Sequence, residues 1–408
     1  MWKRIRGLVF IFFCASVAWV ILGGVTSFRT YRQDNLLKYA VGRLWGTQQA
    51  QRAPSIYYQT KELRKVETKG HDETVIETKV ETVDHPMTLE GSDITVDLDL
   101  EYRKKGLLWY STYKVFFSGK YTVKNNTGVR KEVFFDYTFP TVEGVYDNFK
   151  FIIDGKKVQE IQPSGGRAWQ TMDMAPGETR IVEIHYRSQG MDQWWYMFGY
   201  NVSQIKNFKL EMNTDFKKID FPENGISPTK KERTGKGWRL TWKYANLISG
   251  IQIGMDLPKK INPGPFASRV SFFAPVSLFF FFFLMFIITT VKNIRIHPMN
   301  YFFLAAAFFS FHLLLCYLAD HIAIHFAFIL SSIVSIFLVI SYMRLVVGEQ
   351  FALKETGISQ FVYLILFSYA FFLEGYTGLA ITILSILTLF VVMQFTAKID
   401  WDKQFIKK

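Results

Sequence analysis

The distribution of apolar runs constrains the fold of this chain more than any other feature. One run extends from Leu8 to Phe28, and the remaining runs all lie after Arg269. The roughly 240 residues between them contain no stretch of the ~20 apolar residues that a membrane-spanning helix requires. The sequence therefore predicts a multi-span α-helical membrane protein with a large exported domain inserted after the first transmembrane helix.

The predicted spans and their flanking charges indicate an orientation. We predict spans at residues 8–28, 270–291, 299–319, 322–343, 358–373 and 376–396. One side of these spans carries the basic residues of the N-terminus, the short loops and the C-terminus, for example Lys3, Arg4, Arg6, Lys292, Arg295, Arg344 and Lys354. The opposite short turns, near Asp320 and Glu374, contain no Lys or Arg. Because short cytoplasmic loops are rich in Lys and Arg, we expect cytoplasmic termini and a periplasmic central domain.

The first apolar run also permits a second interpretation. A cleaved signal peptide would share its basic start and the small residues Ala15 and Ala18. Against this, the apolar stretch is long and no A-x-A cleavage site follows it. Cleavage would leave the remaining topology unchanged.

The exported region changes from a helical to a two-residue period. Residues 29–55 have the apolar spacing of a juxtamembrane helix, which Gly46 and Pro54 stop. Alternating strands with turn signals follow, and Asp154-Gly155 is typical of a tight hairpin. We therefore predict an exported all-β, sandwich-like domain, formed by one antiparallel β-sandwich or a pair of them. The predicted segments are a transmembrane helix (1–28), a helical segment (29–55), a periplasmic β-rich domain (56–268), a five-helix bundle (269–397) and a cytoplasmic tail (398–408).

Composition and motifs exclude several classes of function. The net charge of +13 does not indicate a nucleic-acid-binding protein, because the basic residues are spread along the domain and concentrated at the span ends. Both cysteines, Cys14 and Cys316, lie in predicted spans and provide no disulfide for the exported domain. The sequence lacks nucleotide-binding, hydrolase and metal-ligand motifs, so we expect no catalytic residues, metal or cofactor.

Ionisable residues gather at the predicted outer end of the bundle. Asp320 and His321 end the third span, with His312 two turns earlier, His325 one turn later, and Glu374 at the next outer turn. Placing ionisable groups in or near a bilayer costs free energy, and such groups are often functional. The i,i+4 spacing of His321 and His325 permits one shared helix face, as in a proton- or metal-linked site. Alternatively, Asp320, His321 and Glu374 are turn residues solvated in the headgroup layer. His312 and His325 are then packed and hydrogen-bonded within the bundle.

Several segments resemble the CreD family of bacterial inner-membrane proteins. The stretch from Trp45-Gly46 to Gln49 and Pro54 is similar to that family's W-G-x-x-Q…P segment, and residues 103–119 are similar to its basic-Gly-…-Tyr-…-Gly strand pair. The bundle is the closest match, through Ile296-His297-Pro298-Met299-Asn300-Tyr301, residues 313–321, Glu374-Gly375-Tyr376 and Lys398-Ile399-Asp400-Trp401. The family often has Ser-Glu-His where this chain has Ala319-Asp320-His321, and residues 55–58 also depart from its pattern.

The resemblance implies a Gram-negative inner-membrane protein linked to envelope integrity and colicin tolerance, with no established reaction. Our leading hypothesis is a non-enzymatic envelope protein whose β-domain engages a periplasmic protein, a lipid or a cell-wall component, in addition to the bilayer. The competing hypothesis is a proton- or metal-linked transporter or membrane enzyme that uses Asp320, His321 and Glu374. For the junction residues Trp45, Gly46 and Gln49, we favour a helix stop where the domain docks on the first span over a ligand site.

Overall fold

The chain divides into two units in the computed structural model, which describes residues 2–69, 74–106, 108–159, 161, 163–199 and 203–397. The membrane unit comprises residues 1–36, 106–108 and 261–408, and the β unit comprises residues 37–105 and 109–260. The predicted tail 398–408, with the motif that begins at Lys398, lies outside the described residues.

Long apolar helices form the membrane unit. They are α1 (Trp2–Trp45), α2 (Pro263–Val291), α3 (Pro298–Leu318), α4 (Ile324–Val346) and a C-terminal helix (Thr377–Thr396). These five are the helices in the described part of the chain that are long and apolar enough to cross a membrane. Both α2 and α3 begin with proline, whose fixed φ suits the first helical position. At α3, His297 Nδ1 also accepts a hydrogen bond of 3.2 Å from the backbone N–H of Met299.

The predicted span 358–373 lies in a helix of mixed type, here called the segmented helix (residues 349–372). It alternates between α, π and 3₁₀ geometry through Glu349–Phe351, Ala352–Gly357, Ile358–Gln360, Phe361–Leu366, Phe367–Tyr369 and Ala370–Phe372. The two π segments are Ala352–Gly357 and Phe361–Leu366. The π-helix is rare in proteins, and where it occurs it often marks a functional site. The segmented helix is therefore a candidate for a binding surface.

Fifteen strands form the described part of the β unit. They are β1 (Gln49–Arg52), β2 (Ser55–Lys69), β3 (Thr74–Met87), β4 (Gly91–Lys105), β5 (Leu108–Lys124), β6 (Lys131–Thr138), β7 (Asp147–Ile153), β8 (Lys156–Lys157), β9 (Arg167–Met174), β10 (Thr179–Met191), β11 (Gln193–Met197), β12 (Ser203–Thr214), β13 (Lys230–Arg233), β14 (Trp238–Ser249) and β15 (Ile253–Asp256). The tight hairpin predicted at Asp154-Gly155 is confirmed, since β7 pairs with β8 and both turn residues have positive φ.

Three sheets share one apolar core. Their strand orders are β13-β14-β12-β4-β5-β10-β7-β8, β3-β2-β6-β9 and β1-β11-β15. The two-residue period explains the burial, because alternate residues such as Ile94, Val96 and Leu98 in β4 point into the core. Two pairings, β4 with β12 and β1 with β11, are parallel, so the predicted antiparallel arrangement is wrong at these two pairings. Parallel pairs need long crossovers, which strand periodicity does not reveal.

Two predicted boundaries also need correction. Helix α1 ends at Trp45, and β1 begins at Gln49 inside the segment that we predicted as helical to residue 55. The physical reason is Gly46, whose φ of +136° interrupts the helix, together with the pairing of β1 with β11. Helix α2 begins at Pro263, so the boundary predicted at residues 268–269 falls within a helix.

Candidate functional site

An ion pair joins α1 to the turn between α3 and α4. Arg29 Nη2 lies 2.7 Å from Asp320 Oδ2, with 38% and 18% of the two side chains exposed. The same guanidinium donates to the carbonyl oxygen of Cys316 at 3.4 Å and lies over the ring of Tyr317. The structure thus assigns the predicted site residue Asp320 a specific ionic partner. Sequence reasoning missed Arg29 because 291 residues separate the two positions.

A second arginine, Arg4, connects the N-terminal end of α1 to α2 and α3. Arg4 Nη2 donates to Thr289 Oγ1 at 2.6 Å and to the hydroxyl of Tyr301 at 2.8 Å. Its guanidinium also lies over the ring of Phe286, 5.3 Å from the centroid. Arg4 and Arg29 are about 38 Å apart along α1, which is close to the thickness of a bilayer with its headgroup regions. The two arginines therefore fix the register of α1 against α2 and α3.

His312 is enclosed by aromatic rings and is fully buried. Its Nδ1 lies 3.2 Å from the carbonyl oxygen of Phe308 and, because a carbonyl oxygen only accepts, donates one turn back along its helix. The Trp19 ring packs edge-on at 5.5 Å and the Phe311 ring at 4.9 Å. His312 Nε2 and Trp19 Nε1 have no hydrogen-bond partner among the described residues. These contacts favour the packed interpretation of His312.

The remaining predicted residues of the outer cluster are exposed. His321 lies in the turn before α4, which begins at Ile324, so the helix face that the i,i+4 spacing of His321 and His325 permits does not form. The ring of His325 stacks on Phe372 at 4.7 Å. Glu374 is exposed beside Gly375, which has a φ of +81°. Across residues 2–397, outside the undescribed gaps, no three His, Cys, Asp or Glu side chains are grouped as a metal site requires.

The junction residues Gly46 and Gln49 have structural roles. A Cβ on Gly46 would lie 2.1 Å from the carbonyl oxygen of Gln189, so only glycine fits there. Gln49 is fully buried and donates from Nε2 to Ser188 Oγ at 2.7 Å and to the Gln189 carbonyl at 2.8 Å. These contacts anchor the chain where β1 begins.

A buried hydroxyl cluster next to this junction was missed from the sequence. Gln51 Oε1 accepts hydrogen bonds from Tyr137 at 2.5 Å and Tyr186 at 2.9 Å, and Gln51 Nε2 donates to the Thr138 carbonyl at 3.2 Å. Burial raises the pKa of both tyrosines well above 10, so both hydroxyls remain neutral donors. Residues 49–52 are Gln-Ala-Gln-Arg, which has no apolar alternation that would reveal a strand with buried glutamines, and we assigned that segment to a helix.

Trp45 lines a groove with basic residues of β4. The groove has a volume of about 560 Å³ and is lined by Val41, Leu44, Trp45, Glu101, Tyr102, Arg103, Lys104 and Lys105. The Arg103 guanidinium lies 3.2 Å from the centroid of the Trp45 ring, in stacking contact. We name this surface the basic–aromatic groove. The structure therefore places Trp45 beside charged residues, and its predicted packing against the first span remains a prediction.

Glu101 is the one acidic residue in the lining of the basic–aromatic groove. This carboxylate lies 2.6 Å from Lys114 Nζ and 3.0 Å from Arg103 Nη2. The hydrogen bond from Lys114, more than the contact with Arg103, lowers the pKa of Glu101. Nearby, Lys260 Nζ lies over the rings of Trp109 and Tyr102 at 4.1 and 4.5 Å. Since basic groups outnumber the single acidic group in the lining, the groove can accept an anion next to aromatic surface.

The comparisons with known proteins bear on the membrane unit. Residues 251–402 match the model of the family described as "Inner membrane protein CreD". This match confirms the resemblance to the CreD family over the bundle, and it shows a multi-pass membrane protein that contacts lipid. The Trp45–Gln49 and Arg103–Gly119 segments lie outside the matched residues. No curated protein matches the chain.

Solved structures add little. A Legionella pneumophila protein described as nutrient-binding is 10% identical, with a TM-score of 0.31, and the similarity covers 48% of this chain and 73% of that one. An M1 zinc metallopeptidase of Deinococcus radiodurans is also 10% identical, with a TM-score of 0.22, and the similarity covers 41% of this chain and 42% of that one. Both scores are too low to carry a functional argument.

Proposed function

We propose, from the match of residues 251–402 to the CreD inner-membrane family, that this chain is a non-enzymatic protein of the bacterial inner membrane that contributes to envelope integrity. Its termini are cytoplasmic and its sandwich-like β-domain is periplasmic, as the positive charge of the short loops indicates. The domain engages an anionic envelope component through the basic–aromatic groove.

The observation that carries the proposed engagement of an anionic component is the composition of the basic–aromatic groove. Arg103, Lys104 and Lys105 line one side, and the aromatic rings of Trp45 and Tyr102 provide apolar surface beside them. Arginine and lysine next to aromatic rings suit a phosphate or carboxylate attached to an apolar body. Because Glu101 is engaged by Lys114, it neutralises only part of this positive charge.

The test compares two sets of charge-neutralising substitutions. The groove variant combines Arg103→Gln, Lys104→Gln and Lys105→Gln, and the control combines Lys156→Gln and Lys157→Gln, two exposed lysines of β8. We expect the groove variant to lose envelope protection in a detergent- or colicin-sensitivity assay at unchanged protein level, while the control behaves as wild type. Full protection by the groove variant would contradict the proposal.

The orientation needs its own measurement. Single cysteines at Ser227 and Lys403, in a background without Cys14 and Cys316, should react with an impermeant reagent from opposite sides of the membrane. Labelling of both from one side would contradict the topology and, with it, the periplasmic location of the groove.

The competing transporter or enzyme hypothesis receives less support from the geometry. Asp320 forms an ion pair with Arg29, and the His312 ring packs against Trp19 and Phe311. A proton pathway usually uses several ionisable groups that face a cavity. Proton-coupled uptake by vesicles that contain the wild-type chain, abolished by Asp320→Asn, would nevertheless revive it.

A further inference from the structure

An apolar groove with a charged mouth lies at one end of the membrane unit. It has a volume of about 360 Å³ between α2, the first half of the segmented helix and the C-terminal helix. Ile288, Ile358, Val392 and Phe395 contribute to its apolar wall, and Lys292, Lys354 and Glu355 contribute the charged groups. Along α2 the lining extends from Leu284 to Lys292, about 12 Å of helix. We name it the π-helix groove.

The π segment Ala352–Gly357 shapes the charged mouth. It contains both Lys354 and Glu355, and the hydroxyl of Ser359 donates to the backbone carbonyl of Glu355 at 2.5 Å. Glu355 Oε1 pairs with Lys292 Nζ across the groove, and Glu355 Oε2 is buried without a partner among the described residues. Lys354 is exposed at the same mouth. The lining residues therefore carry two positive charges and one negative charge.

We propose that the π-helix groove binds one anionic phospholipid, with an acyl chain against the apolar wall and the phosphodiester at Lys354 and Lys292. The excess of one positive charge complements the single negative charge of a phosphatidylglycerol headgroup. Basic pockets between transmembrane helices are known to bind anionic headgroups, and long lysine side chains reach from apolar surface to the headgroup layer. This site is separate from the basic–aromatic groove and does not depend on the proposed function.

The test measures lipid selectivity of the full-length chain in detergent. Native mass spectrometry, with phosphatidylglycerol and phosphatidylcholine of identical acyl chains at equal concentration, counts the adducts of each lipid. We expect the wild type to prefer phosphatidylglycerol, and Lys354→Gln to weaken that preference about fivefold, the effect of one lysine near an anionic headgroup. The double variant Lys292→Gln/Glu355→Gln removes one charge of each sign and keeps the excess of one positive charge, so it should weaken the preference less than Lys354→Gln does.

Two further variants separate the groove from general surface charge. Ile358→Trp fills the groove and leaves all its charges, so it should lower binding of both lipids. Arg344→Gln removes a basic residue near the end of α4 that is not part of the lining, and it should leave the preference intact. Equal adducts of both lipids on the wild type, or a loss from Arg344→Gln as large as that from Lys354→Gln, would overturn the proposal.

Discussion

The ion pair between Arg29 and Asp320 permits a quantitative prediction about the membrane unit. We consider the variants Arg29→Gln, Asp320→Asn and their combination, which remove one or both charges; Asn has the size of Asp, whereas Gln is shorter than Arg. Two unit charges 4 Å apart near a protein surface interact by about 4 kcal/mol before the cost of desolvation. Fully exposed pairs retain only about 0.2–1 kcal/mol. With 38% and 18% of its side chains exposed, this pair lies between these limits.

We therefore expect a coupling free energy of about 1–2 kcal/mol, a factor of roughly 5–30 in the folding equilibrium constant. The additional hydrogen bond from Arg29 to the Cys316 carbonyl is lost in Arg29→Gln but not in Asp320→Asn, so Arg29→Gln should lower the free energy of unfolding by more than Asp320→Asn does. Each single variant should lower the free energy of unfolding, and the double variant should lower it by less than the sum of the two.

Reversible unfolding of the full chain in mixed micelles, followed by helix content, measures all four free energies. Arg32→Gln serves as the control, since Arg32 is exposed on the same helix, and its effect should add to that of Asp320→Asn. A coupling of Arg29 with Asp320 within about 0.3 kcal/mol of zero, the usual error of additivity, would refute this reasoning.

Three further predictions concern the β unit. Gly46→Ala should lower the free energy of unfolding by about 3 kcal/mol or more, because its Cβ would lie 2.1 Å from a backbone oxygen, whereas Gly128→Ala meets open space and should be neutral in thermal denaturation. Gln51→Leu should cost about 1–3 kcal/mol for each tyrosine hydroxyl left unpaired, and replacing both tyrosines with Phe in that background should restore part of the loss. Burial raises the pKa of the most deeply buried tyrosines of the β unit, Tyr113, Tyr121, Tyr137, Tyr186 and Tyr196. Their stabilising effect is therefore complete below the unfolded pKa of about 10 and is lost as the pH rises through the raised pKa of the folded state. In a pH titration, these buried tyrosines should give phenolate absorbance only at the pH at which circular dichroism shows loss of β-structure. Phenolate formation by every tyrosine while the circular dichroism spectrum is still intact would contradict the burial of Tyr113, Tyr121, Tyr137, Tyr186 and Tyr196.

The candidate sites were only partly predictable. Asp320 was selected from the sequence because an acidic residue at the end of a span costs free energy to place near the bilayer. It can be recognised from its position alone, without knowledge of its partner. Its partner Arg29 was not predicted, because no local pattern connects two helices 291 residues apart. The basic–aromatic groove combines Trp45, which we selected, with Arg103 and Lys104, whose approach depends on how β4 lies beside the end of α1. The π-helix groove was not predicted at all, since the apolar pattern of a π turn resembles that of an α turn.

The sequence alone determined the features that depend on local periodicity and on solvent. Long apolar runs specify membrane helices because every buried backbone group must find a partner within its own segment. The two-residue alternation specifies strands such as β4 and β5, and Asp154-Gly155 specifies its turn through positive φ. Tertiary structure alone decided which strands pair in parallel, where α1 ends against Gln189, and which charge faces Arg29. These outcomes depend on contacts between residues far apart in the chain, whose energies are absent from any local window of sequence.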